Sequence, residues 1–280
     1  MNIGVVGYGF VGKATSMFSN YENLIIYDTN PELCRPRGIT FQKLEMAQVV
    51  FVCVPTPMRK DGGVHIDIVK NVVNDLKKIV EKNCPIVVRS TVPPGTCDDL
   101  GVFFMPEFLT EKNFLNDFKS ANEWIIGYPE NHNITQKIRL NYIIEQAHNS
   151  KYIDSKKTIF MPNKEAEMVK YFKNNFLATK VAFCNEIYQF CKARDIDYNK
   201  VIDAVCLDSR ITKSHTSVPG HDGKLGFGGT CFPKDCEGLL AEFNLHNIPS
   251  YVIRSSLERN KVVDRPEQDW NLNKGRAVLE

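Results

Sequence analysis

The sequence lacks the features that would place it in several large protein classes. No apolar run approaches the ~18–20 residues of a membrane-spanning helix, so no membrane partner is expected. The opening MNIGVVGYGF has no basic n-region and no h-region leading to a cleavage site. No secretory signal is read, and a cytoplasmic protein is expected. The nine cysteines and six histidines contain no CxxC pair and no cluster with zinc-ligand spacing, so no metal site is expected. An odd, scattered set of cysteines also argues against a disulfide scaffold and for reduced thiols. Charge of one sign is missing too. The 35 Lys/Arg nearly balance 33 Asp/Glu, for a net charge of +2. Nucleic acid is therefore not an expected partner. The short pairs Lys77–Lys78 and Lys156–Lys157 read as solvated faces. Internal repeats and low-complexity tracts are absent.

What remains is a 280-residue chain, 43% hydrophobic and 24% charged, enough for one large domain or two smaller ones. Its first half alternates β-branched runs with helical patterns. Strands are expected at Ile3–Val6, Leu24–Tyr27, Val49–Val54, Ile86–Val88, Val102–Met105 and Trp124–Ile126. Between them, Ile68, Val69, Val72, Val73, Leu76, Ile79 and Val80 recur at helical spacing within Ile66–Lys82. Strand–helix–strand alternation implies parallel pairing and a doubly wound sheet, with ligands at the carboxyl ends of the strands.

Glycine and proline then vanish from Asn163 to Arg194. Asn163 suits a helix cap and Glu165 its first turn. At ~1.5 Å per residue the resulting rod is about 45 Å long. It is read as a connecting spine and a dimer surface. Asp195 to about Lys261 reads as short helices around a Gly/Pro-rich loop, Val218–Gly229. The last stretch, DRPEQDWNLNKGRAV, is polar and expected to be poorly ordered. Leu279–Glu280 is set aside as a cloning remnant. The division expected is 1–160 for the sheet domain and 161–278 for the long helix with a small all-helical domain.

GYGFVG follows the first strand and opens a helical stretch, the context in which GxGxxG carries meaning. Gly7 permits the tight turn, Gly9 lets backbone approach a pyrophosphate, and Gly12 lets helix and strand pack closely. Phe10 and Val11 complete that turn. The fold class is therefore α/β, with an N-terminal Rossmann-like sheet. Asp28, ending the second strand, sits where a carboxylate would accept from adenosine ribose hydroxyls and repel a 2′-phosphate, which selects NAD over NADP. Its plain alternative is a turn residue, and nearby Arg35 and Arg37 keep NADP open. VCVPTP and STVPPGT also fall at strand ends on the cofactor side. They offer Pro55, Thr56, Ser90 and Thr91. Cys53 reads as an inert strand cysteine.

GFGGTCFPKDCEG carries the most pointed chemistry. Pro233 suits a helix first turn, which puts Cys231 at the helix N-terminus. There the dipole and Lys234 would favour thiolate. Asp235 would reach the same helix mouth, and the glycines ahead would admit a ligand. Cys236 falls inside the helix and reads as packing. MPEFLTE supplies Glu107 and Glu111 after a strand. Lys170 and Asn174 share one helix face, solvated in a plain amphipathic helix but able to serve a developing oxyanion at a cleft.

GYGFVG, VPTP, STVPPGT, PEFLTE, EMVKYFKNNFLA and GFGGTCFPKD, in this order, resemble the UDP-glucose/GDP-mannose dehydrogenase family over about the first 260 residues. GFGGTCFPKD is the most specific of these motifs. The resemblance implies oxidation of a nucleotide-sugar CH₂OH to a carboxylate with two NAD⁺, in the service of polysaccharide biosynthesis. It implies Cys231 as nucleophile, Lys170 and Asn174 as oxyanion donors, and Glu107 as general base. Thr91 and Asp235 would hold the reactive water. Phe108, Leu109, Glu111, Phe227, Gly228, Phe232 and Lys234, with Lys170 and Asn174, would contact the nucleotide sugar. Arg210 would serve the neighbouring subunit of a homodimer. Departures are Glu123 where the family often has arginine, an insertion-like HDGKL at His221–Leu225, and the second α/β domain with which family members continue. UDP-glucose is the first expected substrate. UDP-N-acetylhexosamine, GDP-mannose, or a non-catalytic NAD- or nucleotide-binding role are the alternatives.

Overall fold

A computed structural model describes residues 1–279, so Glu280 lies outside the described residues. The chain forms two compact units, Met1–Thr56 with Ile66–Lys170, and Pro57–His65 with Tyr171–Glu280.

The first unit is built on a seven-stranded sheet. Its strands are β1 (Ile3–Val6), β2 (Leu24–Tyr27), β3 (Val49–Val52), β4 (Ile86–Val88), β5 (Phe103–Phe104), β6 (Trp124–Tyr128) and β7 (Thr158–Pro162). Their order is β2-β1-β3-β4-β5-β6-β7. The first five pair in parallel, as their alternation with helices implies. At β6 the sheet reverses: Phe104 faces Gly127 in antiparallel register, and β7 runs parallel to β6. Neither the reversal nor β7 was expected. TIFMP has no alternation and is only half-buried, so it carries no period-2 signal. Along β1 to β4, Val5, Ile26, Phe51 and Val87 enter one core cluster, while Val6, Ile25, Val52 and Val88 enter another. Both faces are thus covered, which is why these strands read as unbroken apolar runs.

Helices α1 (Phe10–Thr15), α2 (Asp67–Ile79), α3 (Thr96–Asp99), α4 (Phe114–Lys119) and α5 (Ile134–Asn149) complete this unit. The long helix α6 runs from Asn163 to Ala193, 31 residues. Its first turns grip the loop after β4. Asn163 donates to Asp98 Oδ1 and the Val102 carbonyl, each at 2.9 Å. The Glu167 carboxylate accepts from the Gly95 and Cys97 amides at 2.5 and 2.9 Å. A Cβ on Gly127 would lie 2.7 Å from Asn163 Oδ1 and 2.9 Å from Ala166 Cβ, so α6 crosses β6 where there is no side chain. Burial pushes Glu167 up to about 7, against the pull of its two amide donors.

From Tyr171 onward α6 belongs to the second unit, with α7 (Tyr198–Val205), α8 (Phe232–Leu245) and α9 (Tyr251–Arg259). Ala178, Ala182, Phe227, Cys236, Leu240 and Leu257 form its main core. The polar tail corrects expectation. Trp270 is 2% exposed, and Arg265 and Ala277 are buried. Leu279, set aside on sequence grounds, donates to the Met58 carbonyl at 3.0 Å, and Met58 donates to the Ala277 carbonyl at 2.8 Å. The tail packs because Asp264, Arg265, Glu267 and Asp269 are paired with one another and with Asp222, Lys224 and Arg259, while Trp270 is buried. Among the described residues no helix is long and apolar enough to cross a membrane.

Trp270→Ala should lower stability by about 3–5 kcal/mol, read by chemical denaturation; an unchanged midpoint would mean the tail is not packed. Glu167 generates a pH prediction. Between its ordinary 4.5 and about 7 the folded chain holds a proton that the unfolded chain has released, so stability falls as pH rises across that window. Urea titrations over that range should show a flatter slope in Glu167→Gln.

Candidate functional site

At the amino end of the first unit the three fingerprint glycines separate by physical cause. Gly7 has φ +87°, and a Cβ there would lie 2.7 Å from the Cys53 carbonyl oxygen. At Gly12 a Cβ would strike the Gly7 carbonyl oxygen. Gly9 has open space where its Cβ would be, the bare backbone that a pyrophosphate needs. Phe10 and Val11 begin α1, and Phe10 meets Phe114 edge-on at 6.3 Å. Asp28 follows β2. Its carboxylate accepts from the Tyr8 amide inside the glycine turn at 2.7 Å and from Asn30 at 2.8 Å. The Cys34 thiol steadies this turn, accepting from the Asp28 amide at 3.3 Å and donating to its carbonyl at 3.2 Å. Arg37 is paired with Glu32 at 2.7 Å, and Arg35 donates to the Glu32 and Cys34 carbonyls.

Pro55 and Thr56 follow β3, and Ser90 and Thr91 follow β4, so with the glycine turn after β1 they share the carboxyl edge of adjacent strands. Ser90 Oγ donates to the Val54 carbonyl at 2.5 Å and ties the two loops together. Thr56 and Thr91 are buried. Cys53 is held at about 11 by burial, which keeps it a thiol.

After β5, Glu107 is 6% exposed. Lys170 on α6 donates to both its carboxylate and its main-chain carbonyl, at 2.8 and 2.6 Å. The Leu109 amide donates to the other carboxylate oxygen at 2.9 Å. The Lys170 ammonium also lies 5.5 Å from the Phe108 ring centre. Glu111 is exposed on the following turn. Sequence reading passed over Arg89, which is buried over the Phe118 ring with Nη1 3.3 Å from Met105 Sδ. Burial lowers its pKa. Its signal was a charge closing an apolar strand.

In the second unit Cys231 is the N-cap residue of α8, with Pro233 in the first turn. Its sulfur lies 3.8 Å from Thr230 Oγ1. Asp235 is 1% exposed. Asn174 donates to one of its oxygens and Lys234 to the other, both at 2.6 Å. Asn175 donates to its carbonyl at 3.2 Å. The Lys234 ammonium, expected to act on the Cys231 thiol, donates to Asp235. Lys170 and Asn174, expected as donors on one helix face, donate to Glu107 and to Asp235 respectively. Cys236 is buried within α8, and desolvation raises its pKa well above the ordinary thiol value. Phe227 is buried and meets Phe232 edge-on at 6.3 Å. The His215 ring lies 5.7 Å from Phe232. Arg210 is exposed and forms a two-pronged pair with Asp208. Glu123 is paired with Lys157 at 2.9 Å.

The three glycines ahead of Cys231 also separate. At Gly226, φ is +66° and a Cβ would strike Asn260; at Gly228 it would lie 2.5 Å from Arg265 Cζ. Only Gly229, at φ +72°, has open space where its Cβ would be. Asn260 and Arg265 were invisible to sequence reading because they lie in the segment taken as polar tail or just before it.

Comparison with known proteins bears on both units. The NAD binding domain of the UDP-glucose/GDP-mannose dehydrogenase family matches residues 39–146. The central domain of that family matches residues 164–262. A putative UDP-glucose 6-dehydrogenase of Bacillus subtilis, YtcA, is 31% identical over 226 residues, covering 76% of this chain and 50% of that protein. A UDP-glucose 6-dehydrogenase of Rickettsia bellii is 27% identical, covering 95% of this chain and 68% of the relative. The chain thus spans half to two-thirds of the length of these relatives. A UDP-glucose dehydrogenase structure from Pyrobaculum islandicum superposes with a TM-score of 0.77 at 24% identity, covering 93% of this chain and 68% of that one, and shares its fold. Two domain matches in the family's order, over units whose turns and helix caps carry its motifs, make the chain a member of the UDP-glucose/GDP-mannose dehydrogenase family.

Proposed function

We propose that the protein is an NAD-dependent nucleotide-sugar 6-dehydrogenase that oxidises the C6 hydroxymethyl of UDP-glucose to a carboxylate. One observation carries the reading. Cys231 is the N-cap residue of α8, and the next turn of that helix holds a buried Asp235 fixed by two donors. A thiol at a helix N-terminus is the arrangement that favours attack on a carbonyl.

The cofactor side fits NAD. Gly9 leaves its backbone bare, Gly7 and Gly12 set the turn, and Asp28 offers a carboxylate anchored by the Tyr8 amide. Such a carboxylate accepts from ribose hydroxyls and repels a 2′-phosphate. Phe10, Val11, Pro55, Thr56, Ser90 and Thr91 are assigned to the same ligand. Two NAD⁺, bound in turn, would each accept one hydride of the four-electron oxidation.

The chain's own groups do the rest. Cys231 adds to the C6 aldehyde and forms a thiohemiacetal, which holds the intermediate between the two oxidations. Lys170 and Asn174 stabilise the developing oxyanion. Oxidation of the thiohemiacetal gives a thioester at Cys231. Water, oriented by Thr91 and Asp235 and deprotonated by Glu107, attacks that thioester and releases the acid and the thiol. Phe108, Leu109, Glu111, Phe227, Gly228, Phe232 and Lys234 are assigned to the nucleotide sugar. Such thiol chemistry suits the reducing cytoplasm.

The working form is a homodimer. Phe172, Phe176, Phe183 and Phe190 recur along one face of α6 and are 61–65% exposed. The Phe172 and Phe176 rings stack at 6.3 Å. Four exposed phenylalanines on one helix face are costly in water and fit the same face of a second copy. Arg210, exposed beyond α7, is the residue assigned to the partner's site.

With UDP-glucose and NAD⁺, product mass and NADH should show two NADH per acid. Cys231→Ala should form acid at least about 10³-fold more slowly, the scale of losing a covalent nucleophile; parent-like acid formation would overturn the mechanism. A panel including UDP-N-acetylhexosamine and GDP-mannose decides the sugar. In sedimentation at micromolar concentration the parent should run as a dimer and Phe183→Glu as a monomer. A monomeric parent would remove the dimer and the role given to Arg210.

A further inference from the structure

The loop that delivers Cys231 is braced from behind by residues outside every catalytic motif. Asn260 is fully buried. Its side-chain oxygen accepts from the Phe227 amide and its side-chain nitrogen donates to the Phe227 carbonyl, each at 2.8 Å. This is the two-way pairing of a β-ladder supplied by one side chain. Asn185 on α6 accepts from the Gly226 amide at 3.1 Å.

Arg265 completes the brace. It is 3% exposed, and its guanidinium lies against the bare Cα of Gly228. Two carboxylates hold it there. Asp269 accepts from Nε and Nη2 at 3.0 and 2.9 Å, and Asp222 accepts from Nη2 at 2.5 Å. Lys224 donates to Glu267 at 3.0 Å and to Asp269 at 2.8 Å. Asp222 and Lys224 lie in the insertion-like HDGKL, while Glu267 and Asp269 lie in the polar tail. Insertion and tail together clamp one buried cation.

A buried arginine with fork pairing is a rigid group, because breaking either arm leaves charge without water. Gly226 and Gly228 therefore lack side chains where Asn260 and Arg265 pack against them. We propose that Asn260 and Arg265 are positioning residues that set the Gly226–Cys231 loop and hence the presentation of the Cys231 thiol. The inference rests on the functional reading above only for why that presentation matters; the brace itself is independent of turnover.

The test reads the thiol directly. Iodoacetamide labelling of the Cys231 peptide is followed by mass spectrometry in the full chain, with half-buried Cys206 as internal control. Arg265→Ala should change the Cys231 rate about fivefold, leaving Cys206 within about twofold, a coupling of ordinary size for groups in contact. Arg265→Lys should restore little, since an ammonium cannot make the fork. Asn260→Asp keeps the acceptor and loses the donor, so its effect should fall between the parent and Asn260→Ala. Gly228→Ala should disturb labelling in the parent and add almost nothing in the Arg265→Ala background. Equal effects of Gly228→Ala in both backgrounds, or parallel changes at Cys231 and Cys206, would overturn the proposal. A parent inactive on every nucleotide sugar would overturn the functional reading while leaving this outcome readable.

Discussion

A buried polar group must find its partner inside the protein, and this requirement organises α6. Within two turns the helix presents Glu167, Lys170, Asn174 and Asn175, all buried. Each answers a group that would otherwise lose its water. Glu167 takes two loop amides, Lys170 takes the carbonyl and one carboxylate oxygen of Glu107, and Asn174 and Asn175 take the side chain and carbonyl of Asp235. An unpaired amide or carboxylate in such surroundings costs at least ~1–3 kcal/mol. The spacing of polar residues along EAEMVKYFKNN is thus set by satisfaction of partners, with the chemistry laid over it.

Legibility followed the same line. The parallel strands were readable because burial on both faces leaves unbroken Val/Ile/Phe runs. β7 was not, because TIFMP is half-buried and abuts a helix start. The nucleotide turn was readable since its glycines answer to backbone geometry that only glycine meets. Asn260 and Arg265 were not, because their significance lies in which distant glycine they face. Nothing local distinguishes ERNKVVDRPEQDW from solvated tail. Its polarity is real, but its charges are paired with one another and with HDGKL, and the single tryptophan that anchors it is diluted among polar neighbours.

The two thiols of TCFPKDC show how far local reasoning reaches. Cys236 is desolvated on all sides and stays protonated. Cys231, at the cap, keeps partial exposure and the field of the helix end. Sequence placed both correctly along the helix, because Pro233 fixes where it starts. Lys234, expected beside the thiol, donates to the buried Asp235 carboxylate. An acid 1% exposed draws such a cation, since it has no water to fall back on.

Such pairing shapes how substitutions here must be read. Removing Lys170 strands the Glu107 carboxylate in a buried site, and removing Asn174 leaves Asp235 short of a donor. Breaking one partner of a buried ion pair costs ~3–5 kcal/mol, whereas replacing both partners by apolar groups of similar shape is often neutral. Activity lost in a single variant at these positions therefore mixes folding with chemistry. The comparison that separates them removes both members of a pair: folding returns when the stranded charge goes, and the chemistry that belonged to the pair does not.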